Sequence, residues 1–411
     1  MGAPAARVHE LSREWARLGH QVTVLTAFAH HPVGIKAPPD RYRITRREEK
    51  DGIDVVRSYV YAAANKGTAK RMLSYASFML SAIIIGAWRI KRPDIVIATS
   101  PQLLCACAGY ALARFFGVPF IFEVRDLWPE SIMAVEAMKE NFVVRGLKKV
   151  AAYLYNHCDR IVTVGEGYAR KIHQLYEVPQ EKMRVITNGI DASLFIPGPR
   201  DNEVRRQYGF GDRFVILYLG THGMAHALDK VLEAARELRS DPDKLFVFVG
   251  EGAEKENLKK TAAQWNLDNV LFIDQQPKAR VPLFYAACDL GLVTLRKTPL
   301  FQEVLPSKIF EYLGMERAII ICVDGEARRI VETSGAGEFV LPEDAPAMVE
   351  AIKRLSADRE QLRRMGARGR NYVINNYDRV ELAKQYLELL GSVGEAAAVQ
   401  RGRGLQGTRP G

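Results

Sequence analysis

Short apolar runs rich in β-branched and aromatic residues recur along the chain, each followed by a longer segment with apolar positions three and four apart. In the first half the runs predict strands at Val22–Thr26, near Val55–Val60, and at Ile95–Ala98, Phe120–Val124 and Ile161–Val164. Helices are predicted at Ala6–Leu18, ended by Gly19, at Met72–Trp88, through Ala111 and near Leu147–Tyr155. The second half repeats the plan with strands Phe214–Leu219, Leu245–Val249, Val270–Ile273, Leu290–Leu295 and Ala318–Val323. Its helices are Ala225–Leu238, one from Glu254, Met348–Leu355, Gln361–Tyr372 and Val380–Leu390. Buried, β-branched strands alternating with helices predict α/β domains with doubly wound parallel sheets. Such sheets bind ligands beyond the carboxyl ends of their strands.

Between the halves, Phe195–Arg213 contains Pro197, Gly198 and Pro199 and no periodicity, as a linker would. A chain of 411 residues accommodates two domains, here 1–194 and 195–375. The stretch 392–411, rich in glycine and arginine, is expected to be a disordered, solvated tail. With 48% hydrophobic and 26% charged residues, the composition is that of packed globular domains. A net charge of +10 spread along the chain gives no nucleic-acid-binding motif, but suits a phosphorylated substrate or an anionic lipid surface. Cys105, Cys107, Cys158, Cys288 and Cys322 lack metal-site spacing and read as reduced thiols of a cytoplasmic protein. No signal peptide or stop-transfer segment is expected. Met72–Trp88 is uncharged for 17 residues, about 25 Å as a helix and short of the roughly 20 residues of a membrane span. Basic residues flank it (Lys66, Lys70, Arg71, Arg89, Lys91, Arg92). Packing in the core is the favoured reading, and a helix lying in the membrane surface is the alternative.

The most informative stretch is Leu300–Met315, in which Glu303 and Glu311 are separated by seven residues that include Leu-Pro-Ser-Lys. Pro306 and Ser307 suit the first turn of a helix whose apolar face is Ile309, Phe310 and Leu313. The amides of Ser307 and Lys308, together with the lysine charge, would form an anion site suited to a diphosphate. An anion site flanked by carboxylates fits a ligand with phosphates at one end and hydroxyls at the other, such as a nucleotide-sugar. No Asp-x-Asp is placed as a metal motif.

Two further clusters follow strand ends. Arg125-Asp126-Leu127-Trp128-Pro129-Glu130 comes after Phe120–Val124, and Arg184–Asp191 ends in the turn Asn188-Gly189. Together with the E-x7-E stretch and its LPSK, these resemble the retaining glycosyltransferases of family 4, enzymes of the GT-B fold with two facing Rossmann-like domains. The opening MGAPAAR, EVRDLWPES and LPSKIFEYL are most similar to bacterial transferases of the WbuB and colanic-acid kind.

The resemblance implies a set of roles. Glu303 would lie by the donor sugar and Glu311 would bind the nucleotide ribose. Ser307, Lys308 and the loop Gly220-Thr221-His222 would hold the diphosphate. That loop lacks the basic pair common in the family, leaving His222, His226 and Lys308 as nearest substitutes. Gln276 and Lys278 would lie by the base. Arg125, standing where the family often has histidine, and Asp126 would orient sugar and acceptor, and Gly2, Asn65, Lys66, Trp128 and Glu130 would line the acceptor or sugar loop. The last helix, 376–391, would cross back to the first domain. The family also has a strand ahead of the first helix, so the amino-terminal sheet is expected to lack one strand. The implied reaction moves a sugar, an amino- or deoxysugar among the options, with retention, from a nucleoside-diphosphate sugar, most often UDP-linked, to a lipid-linked or other saccharide acceptor. Colanic acid, O-antigen and lipopolysaccharide are made by such steps. The expected enzyme is cytoplasmic, peripheral on the inner membrane, and needs no cofactor and no metal. Two alternatives are a nucleotide-sugar 2-epimerase and an inactive nucleotide-sugar-binding scaffold.

Overall fold

The computed structural model describes residues 3–29, 35–36, 38–62, 68–134 and 140–406. Gly2, Asn65 and Lys66, expected in the acceptor or sugar loop, lie outside these residues. The chain forms two compact units: Arg7–Ile186 together with the chain from Leu382 on, and Thr187–Glu381, with which the residues ahead of Arg7 are grouped. The second unit therefore takes up the chain ahead of residue 194 and keeps it beyond residue 375. Backbone pairing explains why. Ile190 N donates to Tyr377 O and Arg379 N donates to Ile190 O, each at 2.9 Å, so the Asn188-Gly189 turn is tied to the end of this unit.

In the first unit α1 (Ala3–Arg17) leads to β1 (Thr23–Ala27), β2 (Thr45–Lys50) and β3 (Ile53–Ser58). Then come α2 (Thr68–Arg89), β4 (Val96–Thr99), α3 (Leu103–Phe116), β5 (Phe120–Val124) and α4 (Glu130–Ala134). α5 (Phe142–His157), β6 (Arg160–Thr163), α6 (Glu166–Tyr176) and β7 (Met183–Val185) complete it. The strands make two separate sheets, β1-β3-β2 and β4-β5-β6-β7. All pairs are parallel except β2 with β3. β2, Thr-Arg-Arg-Glu-Glu-Lys, has no apolar alternation and was not predicted. It is an edge strand held by charge pairs across the ladder, Arg47 with Asp54 and Arg57 with Glu48, both at 2.7 Å.

β5 is buried at every position, as a central strand of a parallel sheet must be, and its one charged residue, Glu123, pairs with Arg7 at 3.4 Å. α2 belongs to the core: Phe78, Ala82 and Ile85 are buried, and the first two pack with Phe28, Val60 and Ala108. Gly86 allows the approach of α3, since a Cβ there would lie 2.7 Å from Leu112 Cδ1. The terminal helix, Arg379–Gln406, corrects two expectations, because it neither stops near residue 391 nor gives way to disorder at 392. Glu395 and Ala396–Ala398 are good helix formers, and Val393 is buried with Leu382, Ala383 and Tyr386 against Leu11 and Trp15. The Trp15 indole donates to Ala383 O at 3.0 Å. Gly146, inside α5, has open space where a Cβ would stand. Gly146→Ala is therefore expected to raise stability by about 0.5–1 kcal/mol, read as a higher denaturant midpoint.

The second unit contains α7 (Glu203–Gln207), β8 (Phe214–Leu219), α8 (Leu228–Glu237), β9 (Lys244–Val249), α9 (Lys255–Gln264) and β10 (Val270–Ile273). α10 (Val281–Ala287), β11 (Leu290–Thr294), α11 (Lys308–Gly314), β12 (Ile319–Cys322), α12 (Glu326–Ser334), β13 (Gly337–Phe339), α13 (Ala345–Ala357) and α14 (Arg359–Tyr377) follow. The expected linker 195–213 is packed rather than loose. Val204 and Phe210 are buried, and Arg200 and Arg205 both pair with Asp289, at 2.6 and 2.7 Å. The sheet order is β10-β9-β8-β11-β12-β13, with every pair parallel. The chain starts mid-sheet at β8, builds outward to β10, then returns to the other side of β8 with β11. Loops leaving β8 and β11 therefore diverge, which opens a crevice at their carboxyl ends.

Candidate functional site

At that switch point β8 runs into Gly220, whose φ is 151°, and β9 runs into Gly250, whose φ is 146°. Only glycine adopts such angles without strain. A Cβ on Gly250 would lie 1.9 Å from Gly220 O, and one on Gly252 would lie 2.2 Å from His222 O. The two loops thus stack backbone on backbone. Gly220 N donates to Val249 O, His222 N to Glu251 O and Glu254 N to His222 O, all at 2.9 Å. The loop after β11 is tied to the same place, since Thr294 Oγ1 donates to His226 O at 2.6 Å and Arg296 N to Ala225 O at 2.8 Å.

The chain then passes a 3-10 turn, Phe301–Glu303, and enters α11, with Ser307 as its N-cap. The Ser307 hydroxyl makes no capping bond. Lys308, the first helical residue, folds back over β8. Its Nζ stands 3.8 Å from the centroid of the Tyr218 ring, and a Cβ on Gly220 would meet it at 2.9 Å. Although the residue as a whole is only half-buried, Nζ itself is shut off from water and has no hydrogen-bond partner among the described residues. Desolvation lowers its pKa from 10.5 to about 7, opposed in part by the charge of Glu311.

Glu311 lies one turn further along α11 and accepts a hydrogen bond from Tyr285 Oη at 2.6 Å. Burial raises its pKa, while Tyr285 and the charges of Lys278 and Lys308 oppose the rise. Lys278 and Lys308 are thus both close enough for their charges to act on Glu311. The Gln276 side chain turns back to Asp274 O at 2.9 Å and accepts from Arg280 at 3.4 Å. Thr221 is exposed, and its carbonyl accepts from Tyr218 Oη at 2.8 Å.

His222 is placed otherwise than expected. Its ring is fully buried among Tyr218, Phe248 and Phe272. Both ring nitrogens lack hydrogen-bond partners among the described residues. Burial, reinforced by Lys255 and Lys308, lowers its pKa to about 4, so the ring is a neutral core group and cannot replace a phosphate-binding cation. His226, beside the Tyr218 ring at 6.1 Å, is likewise pushed down to about 3, chiefly by burial. Tyr218 and Tyr285, which carry Lys308 and Glu311, were not predicted. Each sits in an apolar run, and nothing local distinguishes it from a core tyrosine.

In the first unit the Arg125–Glu130 cluster follows β5. Ser100, just past β4, fixes the turn: its Oγ accepts from Arg125 N at 2.8 Å and Asp126 N at 3.1 Å, and donates to Asp126 O at 3.0 Å. Arg125 lies 4.0 Å from Glu123, and burial brings its pKa down to about 10 against the pull of Glu123. Asp126 accepts from Ser131 Oγ at 3.1 Å. Burial raises its pKa to about 6, opposed by that bond and aided by Glu130. Two of the expected lining residues follow in the same turn, Glu130 half-buried. Trp128 is buried, and Glu130 accepts from Tyr176 Oη at 2.5 Å. That bond ties the start of α4 to the end of α6.

Comparison with known proteins gives matches over nearly the whole chain. The model of a glycosyl transferase 4-like domain matches residues 2–189, and that of glycosyl transferases group 1 matches residues 200–372. The colanic acid biosynthesis glycosyl transferase WcaI of Escherichia coli is 27% identical over 91% of this chain and 93% of its own. Among solved structures, sucrose-phosphate synthase of Thermosynechococcus elongatus superposes with a TM-score of 0.78 at 18% identity, over 96% of this chain and 94% of that one. Anabaena HepE, solved in complex with UDP and glucose, gives 0.72 at 17% identity, over 95% and 96%.

Proposed function

The chain belongs to the family 4 glycosyltransferases of the GT-B fold, and from that premise we propose that it takes a sugar from a UDP-linked donor, with retention of configuration. The acceptor is a lipid-linked saccharide on the cytoplasmic side, in the synthesis of a bacterial surface polysaccharide; the moved sugar is an amino- or deoxysugar. The observation that carries this reading is Lys308. An amine shut off from water, without a hydrogen-bond partner among the described residues, beside a glycine at a switch point and one turn from a buried carboxylate calls for an anion with hydroxyls attached. The UDP and glucose bound by HepE support the choice of ligand.

In this reading Lys308 and the amides of Ser307 and Lys308 meet the departing diphosphate. That charge grows as the glycosidic bond breaks, so their interaction lowers the barrier and does more than tighten binding. Glu311, held by Tyr285, takes the ribose hydroxyls, and Glu303 takes those of the donor sugar. Gln276 and Lys278 serve the base, the Gly220-Thr221 backbone serves the phosphates, and Arg125 and Asp126 orient the acceptor. No protein nucleophile is needed in front-face substitution.

The test is UDP release from a panel of UDP-sugars, with and without a lipid-diphosphate-sugar, by the wild type and Glu311→Ala. Release that depends on acceptor is expected. The variant is expected to lose about 1.5–3 kcal/mol of transition-state stabilisation, roughly 10- to 150-fold in kcat/KM. UDP binding with no release would point to a scaffold. Interconversion of sugar nucleotides without UDP release would point to an epimerase.

A further inference from the structure

Two residues past the end of β11, Arg296 joins loops that leave three strands of the second unit. Its guanidinium grips Asp229, in the first turn of α8, with Nη1 at 3.1 Å and Nη2 at 2.6 Å, the two-pronged geometry that a planar fork favours. Nη1 also donates to Glu343 at 3.0 Å, and Nε to Met224 O at 3.3 Å. Met224 and Asp229 follow β8, and Glu343 follows β13. The φ of Glu343 is 69°, a left-handed conformation that a residue other than glycine keeps when its surroundings fix it. Half-exposed ion pairs contribute little stability singly, whereas these four contacts converge on one side chain at the rim of the crevice.

Two turns are tied to this side chain. One is Met224–His226, whose His226 ring, shifted mainly by burial, is also close enough to Lys308 for that charge to act on it. The other is Phe301–Glu303, where Phe301 is buried and its amide donates to Thr298 Oγ1 at 3.1 Å. Arg296, Thr298, Phe301 and Gln302 share with Leu341 and Pro342 the lining of a cavity of about 40 Å³. Leu341 and Pro342 come just ahead of Glu343. The segment that Arg296 holds through Glu343 therefore borders the turn that carries Glu303.

We propose that Arg296 is a positioning residue for sugar transfer. It fixes the turn bearing Glu303 relative to the Met224–His226 turn beside Lys308, so that the donor sugar is presented in the geometry the reaction needs. Misplacement of a reacting group by about 1 Å costs about 10²-fold in rate. The inference rests on the nucleotide-sugar reading above and adds to it a residue that acts through two loops.

Arg296→Met and Arg296→Lys test it through calorimetric affinities for UDP and for the tightest-bound UDP-sugar of the panel, and through kcat. The Arg296 amide keeps its bond to Ala225 O in both variants, and Lys308 and Glu311 are untouched, so UDP affinity is expected to stay at the wild-type value. The extra affinity due to the sugar is expected to vanish in Arg296→Met, with kcat falling about 10²-fold. Arg296→Lys keeps the charge and loses the fork, so its kcat is expected to fall about tenfold; it also carries the test should the methionine variant fail to fold. Combining Arg296→Met with Asp229→Asn and Glu343→Gln removes the carboxylates left unpaired, and this triple variant is expected to stay as slow as Arg296→Met. Recovery of wild-type kcat by the triple variant would overturn the proposal, since charge balance alone would then be the role of Arg296. So would wild-type kcat in Arg296→Met, or equal losses of UDP and UDP-sugar affinity in the single variants. A wild type that binds UDP-sugars and transfers none would sink the transferase reading, while the two affinities would still decide for or against Arg296.

Discussion

Lys308→Met is expected to yield a protein that is more stable than the wild type and nearly inactive. In the wild type Nζ gives up water for the face of one aromatic ring and, among the described residues, no hydrogen bond. Its pKa consequently falls from 10.5 to about 7. For a base whose folded pKa is depressed, the unfolded chain holds the extra proton between those two values. Stability therefore rises as pH goes from about 7 to about 10.5. Methionine has similar length and no charge, so the variant should lack this slope and gain about 1–3 kcal/mol at pH 6. Denaturant midpoints at pH 6 and above pH 9 measure both effects. Activity should move the other way, with kcat falling about 10²- to 10³-fold, as when one preorganised group facing developing charge is removed. The same lysine predicts proton uptake on binding UDP above pH 7, because a diphosphate restores its charge. Calorimetry in buffers of different ionisation enthalpy should detect the uptake in the wild type and not in the variant. A variant that kept its turnover would remove Lys308 from the phosphate site.

Lys308 also marks the limit of what the sequence discloses. That it opens a helix, and that Glu311 lies on its next turn, follows from Pro306, Ser307 and the spacing of Ile309, Phe310 and Leu313. That it reaches Gly220 does not, because β8 and α11 are distant in sequence and only the return of β11 to β8 brings them together. The strands announced themselves where they are buried on both faces, as Phe120–Val124 and Phe214–Leu219 are. β2 did not, because its pairing depends on charges on a neighbouring strand and has no periodic signature. Local sequence also does not say which way a ring turns. Gly-Thr-His-Gly suggested a histidine offered to phosphate, but Phe248 and Phe272 supply an apolar pocket from two neighbouring strands, and the imidazole goes there. Glu130 likewise meets Tyr176, a partner that no local pattern reveals. The continuation of the terminal helix past Leu390 rests on Val393 reaching the Leu11–Trp15 surface, again a long-range contact.

Gly250→Ala should produce the largest structural effect. The added Cβ would lie 1.9 Å from a backbone oxygen, that of Gly220, which cannot rotate away as a side-chain atom can. The φ of 146° is also one that alanine adopts only under strain. Clash and strain together are expected to cost about 3 kcal/mol, or roughly 6–12 °C in the melting of a unit of this size. The loop bearing Gly220, Thr221 and His222 hangs on hydrogen bonds to Val249 and Glu251, on either side of the substituted residue, so its displacement is the easiest relief. Gly220 would then leave Lys308, and donor affinity should fall with stability, whereas Glu311 keeps its bond from Tyr285 because neither lies on the displaced loop. Titration with UDP separates two arrangements of the site. Weakened UDP binding in a folded variant means that the glycine loops present the phosphates to Lys308. Unchanged UDP affinity, with only the melting lowered, means that α11 and Lys308 hold the diphosphate without them.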